Sequence, residues 1–138
     1  MRKVFVDTNI ILDWLANRTP FAESAQQLFY RAEIKEVELM TSTMAFISTE
    51  YILRKQVGKE KALVLLAGIR KLLQVCTAGP HIIDLCLVSP FRDFEDALQF
   101  YNAVAGGAEV IISRNQRDFA PGDLPVMSAE AFLRTLSE

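Results

Sequence analysis

Short runs of consecutive apolar residues alternate along this chain with longer stretches in which apolar residues recur every three or four positions. The runs are typical of strands buried on both faces, and the longer stretches are typical of amphipathic helices. The predicted strands cover residues 3–6, 37–42, 74–77, 109–113 and 124–127. The predicted helices cover residues 10–17, 21–33, 43–56, 59–73, 81–88, 93–107 and 128–138.

This alternation of strands and helices predicts the fold class. Apolar strands separated by helices are typical of a mainly parallel sheet that is covered by helices. The chain has 138 residues, which suit one domain with a substantial core, and it contains no repeat, linker or low-complexity stretch. We therefore predict an α/β fold with a single domain over residues 1–138.

Helical spacing also predicts which apolar side chains are buried. In the helix over 59–73, the inward stripe is expected to contain Leu63, Leu66, Ile69 and Leu73. In the helix over 21–33, the large aromatic residues are expected to belong to the core rather than to an interface. These aromatic residues are Phe21, Phe29 and Tyr30.

Composition excludes several classes of protein. A net charge of −2, from 15 basic and 17 acidic residues, argues against a general duplex-binding protein, so any contact with nucleic acid must be local or assisted by a cation. Cys76 and Cys86 lack zinc-site spacing and are expected to be buried free thiols. No apolar run is long enough to span a bilayer, and the N-terminus does not resemble a signal peptide, so we expect a cytoplasmic protein.

Four acids stand out once the parallel sheet is assumed, because ligands bind beyond the carboxyl ends of such strands. Asp7 follows the first strand, and Asp118 lies in the polar loop after strand 109–113. Asp96 is in the first turn of the helix over 93–107, which leads into strand 109–113. Glu50 is on the helix after strand 37–42. Carboxylates that converge repel one another unless a cation lies between them, and oxygen ligands without His or Cys select Mg²⁺ or Mn²⁺.

Each of these acids also has a purely structural interpretation. Asp7 is suited to cap the helix that begins near Ile10, and the negative charge of Asp96 suits a helix N-terminus. Glu50 lies four residues before Arg54, as in an exposed ion pair, and Asp118 suits a turn. The spacing of the acids alone leaves both interpretations open.

Four segments taken together resemble a known family. "VFVDTNIILD", "DFEDALQ", "IISRNQRDF" and "LPVMSAEAFL" resemble the PIN domain, in particular the bacterial branch that includes toxin nucleases of the VapC kind. The resemblance extends over nearly the whole chain. It implies a three-layer α/β/α fold with a central parallel sheet, and an Mg²⁺- or Mn²⁺-dependent nuclease that cuts RNA. It also implies a small antitoxin as a partner, and pairing of the chain with itself.

The resemblance also assigns roles to individual residues. The first metal-binding acid of the family falls on Asp7, the third on Asp96, and the late polar cluster on Asn115 and Asp118. Further polar positions that line the site in the family fall on Thr8, Asn9 and Ser113.

The second acid of the family is where this chain departs from the pattern. The family expects an acid on the helix that follows the second strand, and Glu50 is the acid present there. Alignment through "YILRK" places the family position nearer Ser48, and two residues correspond to about 200° of rotation on a helix. Only one of the two side chains can therefore face the metal, and we assign Glu50 to this position.

The implied mechanism assigns a role to each polar residue. Asp7 and Asp96 bind one metal ion, which Glu50 and Asp118 ligate directly or through water, and the ion activates a water for attack on phosphorus. Side chains expected to orient this water or the scissile phosphate are Asn9, Ser113 and Asn115. Side chains expected to hold flanking phosphates are Arg114 and Arg117.

Two other functions compete with this interpretation. A phosphatase of the haloacid dehalogenase type also begins with a strand and an aspartate, but its second acid two residues later is Asn9 in this chain. A PIN-like domain with a weakened site would instead bind RNA or a protein without cleavage. The uncertain second acid and the lack of a strongly basic face favour this last alternative.

Overall fold

A central sheet of five parallel strands organises the computed structural model, which describes residues 1–136. The strands are β1 (Arg2–Val6), β2 (Val37–Ser42), β3 (Leu73–Cys76), β4 (Val110–Ile112) and β5 (Val126–Met127). Their order across the sheet is β3-β2-β1-β4-β5, and every neighbouring pair is parallel. In the central strand, Val4 lies opposite Leu39 of β2 and Val110 of β4. The prediction of a parallel sheet is confirmed.

Helices follow most of the strands and cover both faces of this sheet. They are α1 (Thr8–Leu15), α2 (Ala22–Glu33), α3 (Thr43–Val57), α4 (Lys59–Arg70), α5 (Pro80–Leu87), α6 (Phe94–Ala105) and α7 (Ala129–Leu136). A 3₁₀ helix (Gln116–Phe119) interrupts the loop after β4. None of the helices within residues 1–136 is both long enough and apolar enough to cross a membrane.

Two separate apolar cores lie on the two faces of the sheet. Because side chains alternate along a strand, Val4 and Val6 point to one face and Phe5 points to the other. The first face packs against residues that include Phe29 of α2 and Phe132 of α7. The second packs against residues of α6 and the 3₁₀ helix. This arrangement confirms the three-layer α/β/α fold.

Several predicted boundaries differ from the structure. The helix predicted over 59–73 ends at Arg70, and Leu73 is buried as the first residue of β3. Leu63 is 49% exposed, so its predicted burial is wrong, because the inward stripe of α4 runs through Ala62, Leu66 and Ile69. Residues 137 and 138, the end of the helix predicted over 128–138, lie outside the described residues.

Of the three aromatic residues predicted to be buried on the helix over 21–33, only Phe29 is buried. Phe29 is fully buried and stacks on Trp14 with the ring centroids 4.8 Å apart. Phe21 and Tyr30 are 42% and 51% exposed, so their predicted burial is wrong. Phe21 precedes the first turn of α2, and Tyr30 is rotated about 100° from Phe29 around the helix axis. Cys76 and Cys86 are buried free thiols, as predicted.

Truncating Phe132 tests whether α7 contributes to the core. Phe132→Ala should lower the free energy of unfolding by about 3–5 kcal/mol, because a fully buried aromatic ring is replaced by a cavity. Val64→Ala is the control, since Val64 is 69% exposed, and it should change stability by no more than about 0.5 kcal/mol. Urea unfolding measures both values, and a small loss for Phe132→Ala would contradict the packing of α7.

Candidate active site

A cavity of about 410 Å³ lies at the edge of the sheet where β1 and β2 end. We name it the acid cavity. Of the residues that the sequence singled out, its wall contains Asp7, Thr8, Asn9, Asp96, Asn115 and Asp118. Residues whose role the sequence did not predict also line it, among them Arg18, Glu95 and Gln99. Thus three of the four predicted acids meet at one place.

Asp7 is fixed by the elements on either side of it. Its backbone N–H donates to Ile112 O of β4 at 3.0 Å, which continues the sheet by one residue. Its side chain caps α1, where Oδ1 accepts from the Thr8 N–H at 2.8 Å. Oδ2 accepts from the Ser113 hydroxyl at 2.7 Å. The same carboxylate therefore caps α1 and lines the acid cavity.

Gln99 of α6 gives this carboxylate a further donor. The Ser42 hydroxyl accepts from Ala45 N–H at 3.1 Å and donates its proton to Gln99 Oε1. This bond fixes the orientation of the amide, so Gln99 Nε2 faces Asp7 Oδ1 at 3.4 Å. Sequence reasoning missed Gln99, although it lies three residues after Asp96 and therefore on the same side of the helix.

Burial and a neighbouring charge raise the pKa of the Asp7 carboxyl, whereas its hydrogen bonds lower this pKa. Burial is the largest influence and raises its pKa. The hydrogen bonds from Ser113, Thr8 and Gln99 lower the pKa, and the charge of Asp118 raises it. The net shift is upward, so without a bound cation the site favours the neutral acid more than water does.

The pKa of Asp96 is also raised by burial and by the neighbouring carboxylates. It lies in the first turn of α6, where its N–H donates to the capping carboxylate of Asp93 at 3.0 Å. Burial raises the pKa of Asp96 to about 7, with further contributions from the charges of Asp118, Asp93, Asp7 and Glu95. The carboxylates therefore repel one another, which is the electrostatic setting that a cation relieves.

The loop after β4 brings Asp118 to the cavity. The Ser113 hydroxyl accepts from Asn115 N–H at 3.0 Å, and Asp118 N–H donates to Asn115 O at 3.1 Å. These bonds begin the 3₁₀ helix, which is anchored by the buried ring of Phe119. Asp118 itself is exposed and reaches the acid cavity from the rim.

The helix after the second strand brings Ser48, and not Glu50, to the acid cavity. Glu50 is placed on another side of α3, where its carboxylate pairs with Arg54 at 3.3 Å. The i, i+4 ion pair suggested by the spacing of the two residues is therefore present, although the Glu50 side chain is only 25% exposed. The structure therefore does not bring Glu50 together with the other three acids, and α3 contributes a hydroxyl where the family pattern has a carboxylate.

Arg114 is held by the chain itself instead of facing the acid cavity. Its Nε and one terminal nitrogen each donate to the Asp13 carboxylate at 2.9 Å, and Asp13 is 1% exposed. The Arg114 guanidinium also lies over the Phe21 ring, 4.1 Å from its centroid. This geometry ties the loop after β4 to α1 and does not support the predicted phosphate contact. Arg117 is exposed on the 3₁₀ helix, outside the wall of the acid cavity.

The donors in the acid cavity fit a hard divalent cation by their chemistry. Carboxylate, amide and hydroxyl oxygens suit Mg²⁺ or Mn²⁺, and the mutual repulsion of the acids favours such an ion. Within residues 1–136, no three His, Cys, Asp or Glu side chains are close enough to form a complete site. Mg²⁺ commonly uses one or two protein carboxylates and completes its shell with water and substrate phosphate.

Comparison with known proteins places this architecture in a family. The sequence profile of the PIN domain matches residues 3–117. The chain belongs to the PIN domain family. Ribonuclease VapC1 from Aquifex aeolicus strain VF5 is 27% identical over 135 residues, which cover 94% of this PIN domain chain and 92% of that protein.

Solved structures share the fold of this PIN domain chain. VapC20 from Mycobacterium tuberculosis, a sarcin-ricin loop cleaving toxin, superposes with a TM-score of 0.68 at 19% identity, covering 88% of this chain and 96% of that one. VapBC2 from Rickettsia felis, solved bound to a DNA fragment from its promoter, gives a TM-score of 0.65 at 15% identity, covering 90% and 96%. The predicted family is confirmed.

The raised pKa of Asp96 predicts how this PIN domain responds to pH in EDTA. Between about pH 4 and pH 7 the folded protein retains a proton that the unfolded chain releases, so this carboxyl lowers stability as pH rises through that range. Asp96→Asn removes this loss. The variant should therefore gain thermal stability relative to wild type between about pH 5 and pH 8.

The control for this measurement is Asp84→Asn, which makes the same chemical change at an exposed position of α5 outside the acid cavity. Its thermal stability relative to wild type should not increase as the pH rises. An Asp96→Asn variant that melts below wild type at about pH 8 would contradict the repulsion, because it would mean that the ionised carboxylate makes net favourable contacts.

Proposed function

We propose that this chain is a divalent-metal-dependent endoribonuclease and the toxin of a toxin–antitoxin pair that acts in the cytoplasm. The observation that carries the proposal is the meeting of Asp7, Asp96 and Asp118 in one cavity at the carboxyl edge of a parallel sheet. Membership of the PIN domain family and similarity to Ribonuclease VapC1 along nearly the whole chain support it.

In this proposal, Asp7 and Asp96 hold Mg²⁺ or Mn²⁺, with Asp118 as a ligand directly or through water. When bound, the ion lowers the pKa of a water molecule and neutralises charge on the phosphodiester. The Asp7 carboxylate is held in place by hydrogen bonds from Thr8 N–H, the Ser113 hydroxyl and the Gln99 amide. Preorganised ligands of this kind avoid the cost of reordering during the reaction.

The polar neighbours divide into two groups in this mechanism. Ser113 donates its only hydroxyl proton to Asp7 and accepts from Asn115 N–H, so it positions the carboxylate instead of the attacking water. Thr8 and Asn115 line the acid cavity, and their side chains make no hydrogen bond within residues 1–136. These two side chains, with the amide of Asn9, are the groups we assign to the water or the scissile phosphate.

The proposal also includes the molecules that the chain would bind. RNA is the substrate, and an antitoxin protein is the inhibitor, in keeping with the VapBC assemblies among the solved structures of the same fold. A homodimer is also part of the proposal. The exposed apolar side chains of Ile47 and Tyr51, one turn apart on α3, offer a surface for one of these contacts.

A second function is favoured by one specific observation. Ser48 occupies the wall of the acid cavity where the family pattern has a carboxylate, so the site has one fewer anionic ligand for a metal. A weakened site of this kind would leave a domain that binds RNA or a protein without cutting. Cleavage assays separate the two functions.

The first experiment measures cleavage of labelled single-stranded RNA by purified protein free of antitoxin. Cleavage should require Mg²⁺ or Mn²⁺ and stop in EDTA. Asp96→Asn should reduce the rate by more than about 100-fold, since a lost ligand costs more than a lost outer partner. Asp84→Asn should cleave like wild type. Cleavage that persists in EDTA would refute metal dependence, and folded protein that is inactive in both metals would favour the binding domain.

Ser48 and Glu50 provide a matched test of the second acid. Glu50→Gln should keep cleavage within about 2-fold of wild type, because it removes a partly exposed ion pair on α3 that lies outside the acid cavity. Ser48→Glu adds a carboxylate to the acid cavity and should lower the Mn²⁺ concentration for half-maximal cleavage by roughly 10-fold. If Glu50→Gln loses cleavage, the assignment of Glu50 as a metal ligand would be supported after all.

A further inference from the structure

Arg18 is the single basic residue within residues 1–136 that lines the acid cavity. It lies in the turn between α1 and α2 and is half-buried. Asp7, Asp96 and Asp118 line the same cavity. The position of Arg18 in the cavity cannot be predicted from the sequence, because nothing in its spacing relates it to the acids.

The backbone holds Arg18 firmly at this place. Its N–H donates to Asp13 O at 2.9 Å. Its carbonyl oxygen accepts from Phe21 N–H at 2.9 Å and from Ala22 N–H at 2.7 Å, which fixes it to the start of α2. Arg18 is therefore attached on both sides to rigid helices, so its side chain starts from a defined position beside the acids.

The Arg18 guanidinium has no ionic partner among residues 1–136, although acids share its cavity. Other arginines near the site are used by the chain. Arg114 binds Asp13 at 2.9 Å, and Arg54 binds Glu50 at 3.3 Å. Arg18 thus retains all five N–H donors for a group that enters the cavity.

From these observations we infer that Arg18 binds a backbone phosphate of the RNA that enters the acid cavity. A guanidinium presents a planar fork of donors that matches two phosphate oxygens. The other charged residues of the wall are all acids, namely Asp7, Glu95, Asp96 and Asp118, so a phosphate away from the metal would be repelled there without a fixed positive charge. The inference rests on the proposed ribonuclease function and adds to it the residue that positions the strand.

Binding of a short fluorescent single-stranded RNA tests this inference without cleavage. All proteins carry Asp96→Asn, and binding is followed by anisotropy over a range of salt concentrations. Adding Arg18→Gln should weaken binding by roughly 10-fold or more. The slope of log affinity against log salt should fall by about 0.7, which corresponds to one lost phosphate contact on a single strand. Arg18→Lys should keep the salt slope and lose part of the affinity, because it keeps the charge without the fork.

Arg134→Gln is the matched control, because it removes the same charge from the far exposed face of α7. It should change affinity by less than about 2-fold and leave the slope unaltered. Thermal unfolding is measured for each protein. If Arg18→Gln lowers the unfolding midpoint, Arg18→Lys decides the question, and a lysine variant whose slope also falls would overturn the inference.

The two proposals fail in different ways. If the otherwise unmodified chain cleaves RNA but Arg18→Gln matches Arg134→Gln in affinity and salt slope, the role of Arg18 is refuted and the ribonuclease stands. A chain that neither cleaves nor binds RNA would refute the ribonuclease and this inference with it. In the active background, Arg18→Gln should raise KM more than it lowers kcat, as expected for a residue that binds substrate away from the reacting atoms.

Discussion

A carboxylate that is largely buried needs hydrogen-bond donors, and the Asp7 carboxylate obtains them from three parts of the chain. Its own helix provides Thr8 N–H, the end of β4 provides the Ser113 hydroxyl, and α6 provides the Gln99 amide. Because these donors come from elements about a hundred residues apart in sequence, satisfying Asp7 requires the whole sheet edge to assemble. The fold and the site are thus coupled through one side chain.

The same edge also concentrates unfavourable charge. Burial and the neighbouring carboxylates raise the pKa of Asp96 to about 7, so in the absence of a cation its ionised form is disfavoured at neutral pH. The buried pair between Asp13 and Arg114 holds the loop after β4 against α1, and removal of one partner would leave a buried charge unmatched. This ion pair therefore fixes the position of the loop that carries Asp118.

Periodicity and position predicted the elements and three of the acids. Asp7, Asp96 and Asp118 were identified because a parallel sheet gathers the carboxyl ends of its strands, whatever the details of packing. The orientation of α3 was beyond such reasoning, because Ser48 and Glu50 differ by about 200° around the helix and only packing selects between them. Gln99 and Asp13 act through contacts between distant segments, which spacing does not reveal, and only the folded chain places Arg18 in the same cavity as the acids. Phe21 was misassigned for the same reason, since its ring is covered by Arg114 and not by the core.

The arginines show how a chain with a net charge of −2 can face a polyanion. Arg114, on the loop that bears Asp118, was the natural candidate for phosphate binding, yet its charge is neutralised by Asp13. Arg18 lines the acid cavity from the turn between α1 and α2, and its charge is not neutralised by an ion pair within residues 1–136. Within residues 1–136, the cavity wall has one basic residue and four acids, so it would repel anions until a metal ion neutralises the carboxylates. Binding of metal and of RNA would then reinforce each other, so the strand is held where the reaction takes place and the rest of the surface needs no strong basic patch.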